Sequence, residues 1–191
     1  MSDSKSVSEQ PLEEFFTRFV ELGFSYKPTS SAHKNFANLC KVSGWARNSG
    51  EHRNARAGFN DALVQQFNAI YGTDGNDLIA WQNLCCVIGI EPVPDDMKEC
   101  KRVVRDAHVN IVDLIEIVRT RNPVRRFNSL DELARYTKQT SKFIPKENAY
   151  QGGLLKELLR EIINPDSYFG RRCNGSEKRK RRKARKQAGS G

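Results

Sequence analysis

The chain has 191 residues, 38% of them hydrophobic, and a formal net charge of +9. This length and apolar content fit one domain with a buried core better than two. The first ten residues are polar and lack a signal-peptide core, and no stretch reaches the roughly 18 apolar residues of a membrane span. We therefore expect a soluble intracellular protein with no membrane partner.

Helical periodicity dominates the first half of the chain. A helix with an aromatic face is predicted over residues 11–22, because Pro11 suits a first helical turn and Gly23 ends the pattern. Two further helices are predicted over residues 32–42 and 51–71, each followed by a glycine terminator.

The second half continues with capped helices. Asn110 is predicted to be an N-cap with Asp113 at the N3 position, and Ser129 and Glu132 form a capping box. The further predicted helices run from a cap at Asn76 or Asp77 to Ile88, over 96–107, from Asn110 to Val118, from Ser129 to Tyr136 and over 149–163.

No segment alternates in the manner of a strand between hairpin turns. The sequence therefore predicts an all-α fold: a single compact orthogonal domain of seven or eight helices over residues 11–164. Residues 1–10 and 165–191 are predicted to be disordered flanks, and the second of these is a basic tail.

The sequence offers little evidence for catalysis. It has no Cys-x-x-Cys pair, its three histidines are dispersed and no phosphate-binding glycine loop is present, so we expect no metal, no cofactor and no catalytic residue. A nucleophilic pair such as Cys100 with His108 stays open, but a buried core thiol is the favoured interpretation. The odd number of cysteines indicates reduced thiols, at Cys40, Cys85, Cys86, Cys100 and Cys173.

Two clusters of arginine lie in the body of the chain. One is a loop with four arginines in eight residues, and the other surrounds the start of the third helix, where positive side chains oppose the helix macrodipole. Both are candidate contacts for nucleic acid or another anionic partner, although for the cluster at the helix start an exposed charged surface is the commoner explanation. The candidates are Arg47, Arg53, Arg56, Arg119, Arg121, Arg125 and Arg126.

The tail carries the net charge of the molecule. Residues 171–191 contain ten Lys and Arg against one acid, whereas residues 1–170 contain 22 of each sign. Such a run can bind the acidic grooves of a nuclear import receptor or the phosphates of nucleic acid, or it can simply solubilise the protein. The candidate localisation and phosphate contacts are Arg171, Arg172, Lys178, Arg179, Lys180, Arg181, Arg182, Lys183, Arg185 and Lys186.

Several motifs of the body occur together in one order. They include Phe59-Asn60, Phe67-Asn68-x-x-Tyr71-Gly72-x-Asp74, Trp81-Gln82-x-Leu84-Cys85, Pro94, Cys100, His108-Val109-Asn110-x-x-Asp113-Leu114, Tyr136-Thr137 and Gly153-Leu154-Leu155. In this combination the chain resembles a family of small fungal proteins of unassigned function, over most of residues 12–163. The resemblance implies one compact domain and brings no activity, cofactor or site residue.

Together these patterns predict a nuclear protein. We expect its body to be a protein-interaction or regulatory module with an unidentified protein partner, and its tail to recruit an import receptor and to contact DNA or RNA non-specifically. The alternative is a direct DNA- or RNA-binding protein that uses the body arginines with the tail. A weaker alternative is an enzyme with an unrecognised pocket.

Overall fold

The computed structural model describes residues 10–120, 122–144 and 153–159. These residues form helices and no strand, with one isolated antiparallel bridge between Val109 and Arg126, so the all-α prediction is confirmed. The predicted tail and residues 1–9 lie outside the described residues. The helices of the described part are α1 Pro11–Thr17, α2 Ala32–Val42, α3 Gly50–Tyr71, α4 Leu78–Ile88, α5 Met97–Asp106, α6 Ile111–Thr120, α7 Leu130–Thr140 and α8 Gly153–Leu158.

Polar side chains cap the starts of most of these helices. Each cap accepts a hydrogen bond from a backbone N–H of the first turn, which has no partner within the helix. In the predicted capping box, Ser129 accepts from the amide of Glu132, and the Glu132 carboxylate accepts from the amide of Asn128, one residue before the cap. The other side-chain caps are Ser31, Ser49, Asp77 and Asp96.

The prediction of one continuous helix over residues 11–22 is wrong. The helix α1 ends at Thr17, and a short 3-10 turn, Val20–Leu22, follows before Gly23. The ring of Phe19 contacts Trp45 at a centroid distance of 5.6 Å, so the chain bends to place Phe19 against the end of α2. Leu22, at the end of this 3-10 turn, is 49% exposed.

The helix α3 is the central element of the fold. Its 22 residues span about 33 Å, and it packs against α1, α4, α6 and α8. Phe59 on its buried face stacks on Phe36 of α2 at 4.6 Å and lies 5.9 Å from both Phe15 and Phe16 of α1. This aromatic cluster joins α1 and α2 to α3.

The second half of the core is built on the antiparallel pair of α4 and α5. Cys85 and Cys100 are fully buried where these helices meet, and the Cys100 thiol donates a hydrogen bond to the carbonyl oxygen of Pro94. The helix α8 adds Leu154 and Leu155, both fully buried, against α3 and α5. Of the helix predicted over residues 149–163, Leu159 is not helical, and residues 149–152 and 160–163 lie outside the described residues.

Within the described part of the chain, no helix is long and apolar enough to cross a bilayer.

Candidate functional site

The least expected feature of the described structure is a cluster of charged side chains under the segment that follows α7. Asp113 and Glu116 lie one turn apart on α6, and the ammonium of Lys142 is placed between them. Lys142 Nζ is 2.5 Å from Asp113 Oδ1 and 2.7 Å from Glu116 Oε2. The three side chains are only 10–14% exposed. Three charged groups are therefore held together largely out of water.

Asn110 organises one side of this charged cluster. Its Oδ1 accepts from the amide of Val112 at the start of α6, which confirms its predicted capping role. Its Nδ2 donates to Thr137 Oγ1 of α7 and to the carbonyl oxygen of Lys142. One buried amide thus joins α6, α7 and the segment after α7.

The prediction that Asp113 helps cap the start of α6 is wrong. Its Oδ1 instead accepts from Tyr136 Oη at 3.1 Å and from Lys142, while its Oδ2 is buried without a hydrogen-bond partner. The reason is that Lys142, far along the chain, supplies a charged donor that a backbone amide cannot match.

Glu116 extends the charged cluster to α2. Its Oε1 accepts from the backbone N–H of Ala32, the first residue of α2, at 2.8 Å. A carboxylate is favoured at this position because the N-terminal end of a helix carries a partial positive charge. The carboxylate therefore ties α6 to both the start of α2 and Lys142.

The pKa values in and beside the charged cluster follow from burial and neighbouring charge. Burial alone would lower the pKa of Lys142, but its hydrogen bonds to Asp113 and Glu116 raise it above the ordinary lysine value. Burial raises the pKa of Tyr136, and the charge of Asp113 raises it further. Burial, with the nearby Arg56, lowers the pKa of His33 to about 4, so its ring is neutral at pH 7.

The charged cluster has the chemistry of a structural clamp. Its ammonium is held in the charged form and is therefore a poor base or nucleophile. A small cavity lies beside it, lined by Glu116, Arg119 and Pro28 among others, with a volume of about 10 Å³. Such a cavity holds about one water molecule and no substrate.

Arg119, a candidate for nucleic-acid contact, binds within the body. Its guanidinium donates to the hydroxyl of Tyr26 and, at 3.1 Å, to Gln66 Oε1 of α3. The same oxygen of Gln66 accepts from the amide of Leu12. The Arg119 nitrogen that donates to Gln66, Nη2, also donates to Gln10 Oε1 at 3.4 Å. Arg119 therefore connects the end of α6 to α3 and to the first turn of α1.

Most of the other candidate arginines that the structure describes also contact the body. Arg125 lies over the ring of Phe127 at 4.9 Å, and Arg56 lies over Phe36 at 4.2 Å. Arg126 donates a hydrogen bond to the carbonyl oxygen of Gly89, and Arg53 donates one to the carbonyl oxygen of Asn48. Arg47 is exposed in the turn before α3. Arg121 and the tail candidates lie outside the described residues.

Arg56 and Arg119, one from each arginine cluster, are associated with different points along α3. Arg56 sits near the start of α3, whereas Arg119 binds Gln66, ten residues further along the same helix. At the rise of an α-helix these two positions are about 15 Å apart along its axis. The hydrogen bond of Arg119 to α3 is therefore separated from Arg56 along this helix.

No group of three or more histidine, cysteine or acidic side chains that could hold a metal ion occurs in the part of the chain that the structure describes. No protein-family model, no curated protein and no solved structure matches the chain. The resemblance to a fungal family stays a prediction.

Sequence reasoning missed the charged cluster because Lys142 is remote from α6. A signal was present in α6 itself, where Asp113 and Glu116 lie three residues apart among apolar residues. Two carboxylates on the largely buried face of a helix require a cation or several hydrogen bonds. The pattern predicts that a partner exists but does not identify it.

Proposed function

We propose that this protein is a nuclear protein-interaction or regulatory module. In this proposal the helical body binds a partner protein, while the tail binds an import receptor and contacts DNA or RNA without sequence preference. The observation that carries it is the separation of charge: residues 171–191 hold the entire net charge of +9, and residues 1–170 sum to zero. A neutral body with a dense cationic appendage suits delivery by the appendage and recognition by the body.

The placement of the body arginines supports a protein partner over direct nucleic-acid reading. Phosphate contacts need arginine and lysine side chains that can turn outward. Arg119 is held by Tyr26 and Gln66, and Arg125 and Arg56 lie on aromatic rings. Arg119 is therefore committed to contacts within the body, whereas Arg56 and Arg125 keep exposed surface beside their rings.

The exposed apolar side chains of the body are a second support. Val20 and Leu22 are 56% and 49% exposed, and Val42 at the end of α2 is 43% exposed. The contact between Phe19 and Trp45 brings these two segments of the chain together. Apolar surface of this kind is more useful to a protein partner than to a polyanion.

Nuclear accumulation of a large fluorescent fusion tests the targeting part of the proposal. The variant replaces the eight cations between Lys178 and Lys186 with glutamine, and the expected result is loss of nuclear enrichment. A control replaces four exposed body cations, Arg18, Lys34, Lys41 and Lys138, with glutamine and is expected to accumulate normally. Enrichment that persists in the tail variant, above a passive-diffusion reporter, would contradict the proposal.

Fluorescence anisotropy with a duplex DNA and a single-stranded RNA separates the proposal from direct nucleic-acid binding by the body. With the tail cations replaced, the full-length protein is expected to lose its affinity for both. Sequence-dependent affinity that survives in this variant would favour the alternative, in which the body itself reads nucleic acid.

A further inference from the structure

The residues that follow α7, Ser141–Ile144, are attached to the body mainly by polar contacts. The ammonium of Lys142 donates hydrogen bonds to Asp113 and Glu116, and the Lys142 carbonyl oxygen accepts one from Asn110. The Phe143 side chain is 36% exposed, so little apolar area holds this segment down. Only Ile144 adds a partly buried apolar contact with the core.

The two sides of this segment are anchored independently of it. Upstream, Leu133 and Thr137 of α7 are buried, and downstream, Leu154 of α8 is fully buried. Ser141, the first residue of the segment, has a φ of 56°, in the left-handed region that a residue with a side chain seldom adopts. The chain thus changes direction sharply where the helix ends, and the segment can leave the surface without removing α7 or α8 from the core.

We infer that Ser141–Ile144 form a strap that opens locally while the helices stay folded, and that the ammonium of Lys142 is the latch. In the closed position three charged groups share a poorly hydrated space. Loss of either sign of charge leaves the other uncompensated, which strongly favours opening because opening returns the remaining charge to water. Opening uncovers an acidic recess formed by Asp113, Glu116 and the first turn of α2. This device is independent of the proposed function, since it concerns neither the tail nor the identity of a partner.

Limited trypsin digestion of the full-length protein tests the latch directly. Trypsin must accept the lysine side chain in its own pocket, so cleavage after Lys142 requires that Lys142 has left Asp113 and Glu116. In the double variant Asp113→Asn, Glu116→Gln, we expect the rate of cleavage between Lys142 and Phe143 to rise about tenfold or more. Mass spectrometry of the digest measures this rate. Local opening exposes little surface, so the rate should depend only weakly on low urea concentrations.

A matched control removes two carboxylates from an exposed ion-pair network. Glu99 and Asp106 of α5 both bind Arg102, and the double variant Glu99→Gln, Asp106→Asn makes the same change in net charge. Its cleavage after Lys142 should equal that of the wild type. Equal cleavage in both double variants, or a rise that tracks global unfolding in urea, would overturn the inference.

A second variant keeps the test decisive if the acidic double variant does not fold. Lys142→Met retains the length of the side chain and removes its charge. Limited digestion with chymotrypsin should cleave after Phe143 about tenfold or more faster than in the wild type, while cleavage after the buried Phe67 of α3 stays at the wild-type rate. Unchanged cleavage in the strap, or equal acceleration in α3, would show that Lys142 is no latch.

Discussion

Gly58 of α3 faces the ring of Phe15 of α1 so closely that a Cβ at position 58 would lie 3.2 Å from Phe15 Cε2. The ring cannot retreat freely, since it contacts Phe16, Phe36 and Phe59. The absence of a side chain at this position therefore allows α1 and α3 to approach each other.

We expect Gly58→Ala to lower the free energy of unfolding by about 1 kcal/mol. Alanine gains roughly 1 kcal/mol in helix propensity, but overpacking a filled core costs about 1–3 kcal/mol. Urea unfolding measures the difference. The control is Gly50→Ala at the exposed start of α3, where a Cβ meets nothing within 4 Å and no loss is expected. A stabilised Gly58→Ala protein would show that Phe15 has room to move.

Arg119 is predicted to matter for stability more than for ligand binding. Arg119→Met keeps most of the side-chain volume but leaves Gln66 and Tyr26 without their charged donor. We expect a loss of about 1–3 kcal/mol in the free energy of unfolding. Arg47→Gln, at an exposed position, should change this free energy by less than about 0.5 kcal/mol. A smaller loss for Arg119→Met than for Arg47→Gln would contradict the structural role of Arg119.

Because of His33, we expect the free energy of unfolding to decrease in mild acid. Its pKa is lowered to about 4 by burial and by the charge of Arg56, against an ordinary value of 6.5. Between these values the unfolded chain binds a proton that the folded protein does not, so the free energy of unfolding falls as pH drops from about 6.5 to 4. The full difference corresponds to roughly 3 kcal/mol.

Urea midpoints of the wild type and of His33→Gln, measured from pH 7.5 to pH 4.5, check the role of His33. The wild type should lose stability more steeply than the variant in this window. Parallel curves for the two proteins would show that other groups cause the acid dependence.

The cysteines should differ sharply in their reactivity toward alkylating reagents. Cys86 is exposed and should react in the native protein, whereas Cys85 and Cys100 are fully buried. Burial raises the pKa of both buried thiols, that of Cys85 to about 12, so the thiolate is scarce at pH 8. Mass spectrometry of alkylated peptides should find these two residues modified only after urea unfolding. Early modification of Cys85 under native conditions would contradict the packing of α4 against α5.

The tail predicts a characteristic dependence of nucleic-acid affinity on salt. If its eight clustered cations each neutralise one phosphate, the plot of log affinity against log salt concentration should have a slope of about −7. Replacing these cations with glutamine should bring the slope close to zero. A steep slope in the variant would place the phosphate contacts on the body instead.

Local patterns predicted the helices well where local interactions determine them. The bounds of α2 were predicted to the residue, and the N-terminal end at Ser129 followed from its cap. For α4 the sequence left Asn76 and Asp77 as alternative caps, and Asp77 is the cap. The break of α1 was missed because it depends on the packing of Phe19 against Trp45, which lies 26 residues away. Helical spacing alone cannot distinguish a continuous helix from one that bends to meet a distant ring.

The candidate contacts show the same limit. Composition identified the arginine-rich cluster but not the contacts of its members. Arg119 donates to Tyr26 in a distant turn, and only the tertiary fold shows that this guanidinium is bound within the body. The charged cluster of Asp113, Glu116 and Lys142 was missed for a similar reason. Its members come from α6 and from the strap, and no spacing rule connects them.

The two leucines of α8 close a core whose other walls are made much earlier in the chain. Leu154 and Leu155 pack against α3 and α5, which are complete by residue 106. During synthesis on a ribosome, about fifty further residues are added after these helices before Leu154 and Leu155 are present. The body is therefore finished late in synthesis, and a nascent chain that ends before α8 presents the unfilled face of α3 and α5 to chaperones.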